Sequence, residues 1–265
     1  MRVLLAIAVL MTSFTVASAQ SPGDALTPHR ATYTLSLAKV AKGDGMRAAK
    51  GTLTYALTDQ CEGYTIESDL KMETAFASGI ESQLEQRFAA WEAKDGRRAT
   101  FQMQTYEGGK LTKTYHGTVQ LDASLAGTAT FETDTVTNYA LPPGTLLSTG
   151  HTLALLKGAA AGEHFVSRTV IDGSFEDGPF RAAAVLAAPQ NAATKDAPTS
   201  GLAAGIPWPI DAAYFPLSSD KDMPDYEIRM QLLPNGVTRT MTQDFGNFAI
   251  GFVLANVEPL PAPHC

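Results

Sequence analysis

The chain has 265 residues, of which 45% are hydrophobic, and its formal net charge at pH 7 is −7, from 20 basic and 27 acidic residues. This acidic balance argues against nucleic-acid binding and against electrostatic docking on anionic membranes, since both need a basic face. The length fits one large all-β domain, and the hydrophobic content is ample for a core that forms without cofactors.

The N-terminus has the pattern of a secretory signal peptide. Met1-Arg2 precede the apolar run 3–11, and Ala17-Ser18-Ala19 supply the small residues of a cleavage site. We therefore predict that residues 1–19 are removed by a cut after Ala19 and that 20–265 form a single domain. The apolar run is too short to span a bilayer, and no cysteine follows the cut, so we expect an exported protein without a membrane or lipid anchor.

Most of the mature chain alternates apolar and polar residues with the period of two that is typical of half-buried strands. In the first such segment, Tyr33 and Leu35 fall on one side and Thr32 and Thr34 on the other. We predict strands over 31–37, 52–57, 64–72, 82–91, 100–106, 111–121, 128–137, 165–171, 180–186, 208–215, 226–233, 237–244 and 248–257.

Turn signals separate these strands. Gly108-Gly109 and Asn235-Gly236 predict tight hairpins, because glycine and asparagine reach positive φ readily. Residues 82–91 also fit a helix, since Leu84 and Phe88 are four apart, but their neighbours on both sides favour a strand. Residues 187–205 are small and polar, and we expect a long mobile loop there.

One helix is predicted near His151. Ser148 or Thr149 can cap its first free N–H groups, and Gly162 is placed to end it. Leu153, Leu156 and Ala160 form its expected apolar stripe. Because a lone helix of about ten residues is marginal in water, we expect the strands to curve around it. The sequence thus predicts an antiparallel sheet curled into an open or spiral β-barrel with one helix on its concave side. A β-sandwich is the alternative.

The two cysteines, Cys61 and Cys265, are an even pair with no other thiol, which in an exported chain indicates a disulfide first. Two free thiols or an intermolecular bridge are the alternatives.

No catalytic or metal-binding motif is present. The five histidines (His29, His116, His151, His164 and His264) show neither H-E-x-x-H nor zinc-finger spacing, and no G-x-S-x-G elbow occurs. Three carboxylates in 219–225 lack the glycine and glutamate of a calcium loop, so we interpret this segment as a solvated turn. We interpret His151 as structural, with contact to a ligand as the alternative, and we expect no metal and no enzymatic activity.

Several stretches resemble the EipB-like family of periplasmic cell-envelope-integrity proteins of α-proteobacteria, a domain of unknown function. They span nearly the whole mature chain in the same order: HRATYTLSLA from His29, CEGYT from Cys61, LPPGTLLSTGHTLALL from Leu141, IDGSFEDG from Ile171, AYFP from Ala213, PDYEI from Pro224, NGV from Asn235, DFGNF from Asp244 and the closing LPAPHC. The resemblance implies a periplasmic location, a spiral β-sheet with a helix in its concave side, a disulfide between Cys61 and Cys265, and a fold similar to periplasmic lipoprotein carriers.

Curling of the sheet would gather apolar side chains on its concave face, which we name as a candidate ligand face: Tyr33, Leu35, Leu84, Phe88, Phe101, Met103, Leu153 and Leu156. The alternative is that they fill the core around the helix. Our leading hypothesis is a non-enzymatic periplasmic protein that supports envelope integrity by binding a protein partner. The second hypothesis is a carrier of a lipid or lipoprotein acyl chain in the concave face. The third, an envelope hydrolase, needs clustered carboxylates or a Ser/His pair in a cleft.

Overall fold

A computed structural model describes residues 26–41, 45–174, 176, 178–190, 197–217, 222–263 and 265. The predicted signal peptide and cleavage site lie outside the described residues. None of the described helices is long and apolar enough to cross a membrane.

The described chain forms one sheet of fifteen strands and one α-helix, which confirms the predicted fold class. The strands are β1 (His29–Val40), β2 (Met46–Asp59), β3 (Gly63–Phe76), β4 (Glu81–Ala93), β5 (Arg98–Glu107), β6 (Lys110–Leu121), β7 (Gly127–Glu132), β8 (Val136–Leu141), β9 (Leu146–Leu147), β10 (Phe165–Ile171), β11 (Phe180–Leu186), β12 (Trp208–Pro216), β13 (Tyr226–Leu232), β14 (Thr238–Asp244) and β15 (Phe248–Pro259).

Both termini of the domain lie at the middle of this sheet. β1 pairs with β2 on one side and with β15 on the other, antiparallel to both. From there each half continues through neighbouring strands, ending at β8 in one direction and β9 in the other. The two end strands do not pair with each other, so the sheet is curled but open.

Two tyrosine hydroxyls tie the ends of the curled sheet together. Tyr115 on β6 donates to the carbonyl of Gly173 at 3.1 Å, and Tyr139 on β8 donates to the carbonyl of Glu176 at 2.8 Å. Both acceptors lie in the connection between β10 and β11, near the β9 end of the strand order. These bonds hold the concave side partly closed without a ladder between the end strands.

The strand predictions are confirmed with two corrections, one of which is the two-residue strand β9, which was not predicted. The predicted strand 128–137 is two strands, because the N–H of Thr133 bonds to the carbonyl of Thr135 and reverses the chain into the β7–β8 hairpin. Residues 201–203 of the predicted loop form a 3₁₀ turn in which Ala203 is fully buried. Arg239 donates to the carbonyls of Ala203 and Gly205. These bonds fix this part of the loop against the second core cluster, a group of buried apolar side chains that includes Leu35, Phe252 and Leu254.

The N-terminus of helix α1 (Ser148–Ala160) is capped by a side chain from a distant strand. Its N-cap, Leu147, makes no side-chain capping bond, so the expected cap by Ser148 or Thr149 is wrong. Instead Glu92 of β4, 1% exposed, accepts the backbone N–H groups of Ser148 at 3.1 Å and Thr149 at 2.8 Å and the hydroxyl of Thr149. A carboxylate at a helix N-terminus is favoured by the helix dipole. This contact fixes where the helix enters the concave side.

The buried face of α1 differs from the predicted stripe. Thr149, His151, Leu155, Leu156 and Gly158 are buried, whereas Leu153 is half-buried and Ala160 is exposed. The small Gly158 allows close packing, because a Cβ there would lie 2.8 Å from Cγ2 of Val166. The end of the helix is as predicted, with Gly162 at φ +75° just after the C-cap.

The expected disulfide is present between Cys61 and Cys265, whose Cα atoms are 5.9 Å apart. It joins the C-terminal residue to the turn between β2 and β3, 204 positions earlier.

Candidate functional site

A cavity of about 270 Å³ lies between the first half of α1 and the inner face of the sheet. Strands β1 and β2 form one wall, and β12, β13 and β14 form the opposite wall. The described lining residues are Leu26, His29, Tyr33, Leu53, Tyr55, Leu57, Ser148, Thr149, His151, Thr152, Leu155, Val170, Asp172, Tyr214, Ile228, Met230, Leu232, Gly236, Thr238 and Met241.

Aliphatic and methionine side chains form most of the cavity wall. They come from both walls, from the helix, from β10 and from the segment before β1: Leu26, Leu53, Leu57, Leu155, Val170, Ile228, Met230, Leu232 and Met241. The phenol of Tyr33 is already paired, since its hydroxyl donates to the carbonyl of Thr238 at 3.0 Å. This part of the cavity therefore presents apolar surface, as ligand pockets generally do.

His151 provides an unpaired polar atom at the helix side. The residue is 6% exposed, and its Nε2 atom is buried without a hydrogen-bond partner among the described residues. Its ring meets the ring of Tyr214 edge to face, with centroids 6.3 Å apart. Burial, together with the positive charge of Arg168, lowers the pKa of His151 to about 4, so the imidazole is neutral at pH 7.

Asp172 lies at the same end of the cavity as Tyr214. Its Oδ1 atom accepts the backbone N–H of Ser174 at 2.9 Å and the hydroxyl of Ser174 at 2.7 Å. Burial raises the pKa of Tyr214 well above its usual value, and the negative charge of Asp172 adds to this effect. The cavity thus has an apolar body and a polar end that carries acidic and neutral groups.

Glu92 lies behind this polar end, where it caps the helix. Burial raises its pKa above the usual value, and the charge of Asp172 acts in the same direction, while the hydrogen bonds from Thr149 and Ser148 oppose both. The capping bonds orient the first helical turn and hence position His151, one turn further on, at the cavity wall.

The eight residues predicted as a ligand face do share the inward face of the sheet and helix, but they do not line one cavity. Of the eight, Tyr33 lines the cavity described above. Phe101, Met103 and Leu156 are buried in the main core, with Phe88 and Leu153 packed against it, and Leu35 is buried in the second core cluster. Leu84 lies half-buried on β4.

The sequence-based list of candidate ligand residues did not include His151 or the residues of β13 that line the cavity. His151 lies in register with Leu155 and Gly158, a helical spacing that marks the buried face. Ile228, Met230 and Leu232 alternate along β13, next to the Asn235-Gly236 turn. Which side of that hairpin faces the helix depends on the curl of the sheet, and the sequence did not contain that information.

The remaining chemical candidates give no catalytic site in the part of the chain that the structure describes. No group of three or more His, Cys, Asp or Glu side chains there could hold a metal ion. Residues 218–221, which include part of the predicted acidic turn, and His264 lie outside the described residues.

Comparison with known proteins agrees with this architecture. A model of the family described as EipB-like matches residues 20–261. The chain belongs to the EipB-like family. It is 27% identical over 244 residues to the cell envelope integrity protein EipB of Brucella abortus (strain 2308), covering 88% of this chain and 84% of that protein.

A solved structure supports the same fold for this EipB-like chain. The crystal structure of a beta-barrel-like protein of a domain of unknown function from Brucella abortus matches with a TM-score of 0.82 and 26% identity. The match covers 89% of this chain and 99% of that chain. The curled sheet is therefore shared with an EipB-like relative of similar length.

Proposed function

We propose that the chain is an exported, non-enzymatic protein that supports the integrity of the cell envelope, and that it does so by binding the acyl chain of a lipid or lipoprotein in the interior cavity. The envelope role is supported by the name of the Brucella abortus relative. Export to the periplasm is supported by the Cys61–Cys265 disulfide, because disulfides persist in oxidising compartments.

The proposed binding of an acyl chain is supported by the cavity. Its volume of about 270 Å³ is close to the lower end of small-molecule pockets, which span roughly 300–1,000 Å³. The curled sheet is packed by its core clusters elsewhere, yet the described side chains leave this space beside Leu155 and the β13–β14 wall unfilled. A packed interior has few voids larger than a water molecule, so a space of this size favours a ligand over simple core packing.

The lining favours binding over hydrolysis. Ser148 and His151 both line the cavity, which is the pair that an envelope hydrolase would use. However, the Nε2 atom of His151 has no hydrogen-bond partner among the described residues and so does not accept the Ser148 hydroxyl. A nucleophile and its base are normally joined by such a bond.

A cavity-filling substitution tests the proposal. Thr152 lines the cavity from the helix, so Thr152→Phe is expected to fill part of it. Binding of the uncharged fluorescent probe N-phenylnaphthylamine to the purified mature protein should weaken at least about tenfold, which is the affinity range that loss of a few buried methylene contacts produces. Thr152→Ala, which enlarges the site, and Ala160→Phe, on an exposed position of the same helix, should retain binding.

Equal probe binding by wild type and the three variants would show that the probe binds elsewhere. It would refute the proposal that the cavity is the binding site. In cells lacking the wild-type gene, Thr152→Phe should fail to restore detergent resistance at equal protein levels, whereas Ala160→Phe should restore it. The protein partner expected from the sequence stays a prediction. It is tested by pull-down with wild type and Thr152→Phe, since a partner that needs the loaded cavity would be lost from the variant.

A further inference from the structure

We propose that the cavity selects amphiphiles with a positively charged amine head group, and that this head group binds at the end of the cavity where Asp172 and Tyr214 lie. This inference rests on the proposed function, that the cavity holds an apolar chain, and it specifies the chemical class of the ligand.

Asp172 provides a carboxylate oxygen that is available to a ligand. The residue is half-buried and lines the cavity just beyond the end of β10. Its Oδ1 atom accepts the N–H and the hydroxyl of Ser174. Its Oδ2 atom has no donor among the described residues and keeps accessible surface, unlike the sealed Nε2 atom of His151. The cavity wall therefore contains a negatively charged acceptor whose second oxygen is unpaired.

Tyr214 provides a second acceptor at the same end. It is 7% exposed and lines the cavity, and its hydroxyl keeps accessible surface but bonds to no residue in the described ranges. Buried polar groups normally have a partner, and a phenol oxygen can accept an N–H. The ring stacks on that of Tyr226, with centroids 4.6 Å apart. Aromatic rings attract cations within about 6 Å, so this end suits an ammonium group in two ways.

The charges around this end favour a cation over an anion. The described lining residues include no lysine or arginine, and Glu92, buried behind the first helical turn, adds a second carboxyl group. Arg168 of β10 is exposed, and its guanidinium donates to the carbonyl of Ser167 rather than to Asp172. An ammonium group would balance the carboxylate, whereas a carboxylate or phosphate head group would add a like charge to an enclosed site.

An uncharged head group is a weaker partner for the same atoms. A hydroxyl can donate to Oδ2 of Asp172 or to Tyr214, but it leaves the negative charge of the wall unbalanced. Hydrogen bonds in which both partners are ionised are roughly twice as strong as neutral ones. We therefore expect the cavity to rank a protonated amine above an alcohol of the same chain length, and the alcohol above a carboxylate.

Matched ligands with the same chain test the proposal. Octylamine, octanol and octanoate are titrated at pH 7 against the wild-type mature protein loaded with N-phenylnaphthylamine. Octylamine should displace the probe at a concentration at least about tenfold lower than either of the others, the range for hydrogen bonds to a charged group. This ranking requires no variant, so it tests the proposal whether or not a substitution at Asp172 folds.

Asp172→Asn separates the charge at the cavity from the overall charge of the protein. The variant keeps an oxygen that can accept the bonds from Ser174, and octylamine and octanol should displace the probe from it at similar concentrations. Asp134→Asn, at an exposed position in the β7–β8 turn, changes the net charge equally and should keep the wild-type ranking. Tyr214→Phe should weaken octylamine binding roughly twofold to tenfold, the range for one hydrogen bond.

The outcomes distinguish the inference from the proposed function. If octanol or octanoate binds as tightly as octylamine, or if none of the three displaces a bound probe, the head-group proposal is overturned while the cavity stands. A preference for octylamine that persists in Asp172→Asn would also overturn it, because the amine would then bind elsewhere. If octanoate binds most tightly and Arg168→Gln abolishes that preference, an anionic ligand replaces the cation. If the probe itself binds wild type and Thr152→Phe equally, both proposals fail.

Discussion

Replacement of His151 by phenylalanine should stabilise the protein. The variant keeps an aromatic ring against Tyr214 but removes a buried nitrogen that has no hydrogen-bond partner in the described part of the chain. An unsatisfied buried polar atom costs about 1–3 kcal/mol, and its replacement by apolar atoms of similar shape recovers part of that cost. We expect the free energy of unfolding at pH 7 to rise by about 1 kcal/mol.

The stabilisation should grow as the pH falls. The pKa of His151 is about 4 in the folded protein against the usual 6.5, so below pH 6.5 the unfolded chain binds a proton that the folded protein does not. Wild type therefore loses stability as the pH falls from 6.5 towards 4, by about 3 kcal/mol in total. The variant lacks this loss, and the difference between the two proteins should reach about 4 kcal/mol near pH 4.

Urea denaturation of both proteins at pH 7, 5.5 and 4.5 measures this difference by linear extrapolation. Both proteins share every other titrating group, so the pH dependence of the difference isolates His151. A variant that is less stable than wild type at pH 7 would mean that Nε2 has a partner in solution. A difference that is constant with pH would mean that the histidine pKa is not lowered by folding. Either result would refute the reasoning.

Two further predictions concern the Cys61–Cys265 disulfide and the packing of the helix. Cys265→Ser should lower the melting temperature and leave Cys61 reactive with a thiol reagent. The reason is that the disulfide closes a loop with a sequence separation of 204, which contributes up to about 5 kcal/mol to stability in the chain-entropy model. An unchanged melting temperature would contradict this prediction. Gly150→Ala should stabilise the helix by about 0.5–1 kcal/mol, because an added Cβ has its nearest neighbour at 3.8 Å. Gly158→Ala should destabilise the protein by about 1–3 kcal/mol, because the added Cβ would lie 2.8 Å from Cγ2 of Val166. Equal effects of the two glycine substitutions on stability would show that the helix packs differently.

Local patterns predicted most of the secondary structure. The alternation of residues such as Tyr33 and Leu35 identified strands, and the Asn235-Gly236 turn marked the β13–β14 hairpin, because both effects depend on a few neighbouring residues. The prediction failed where a short turn lay inside an alternating run, at Thr133, since a polar turn residue does not interrupt a threonine-rich pattern.

The candidate site depended on contacts between distant parts of the chain. The helix was located correctly, but its capping group, Glu92, lies 56 positions before Ser148 and gives no local signal at the helix start. The buried position of His151 also changed its interpretation, from a structural residue to an unpaired group at a cavity wall.

The sequence by itself determined the strands, most of the turns, the position and end of the helix and the two cysteines, because these follow from residue periodicity, backbone preference and composition. The tertiary structure decided that β1 pairs with β15 at the middle of the sheet, that Glu92 anchors the helix, and that space remains between Leu155 and the opposite wall. These features depend on how far the sheet curls and on how side chains from distant segments share the enclosed volume. Periodicity along the chain contains no information about that volume.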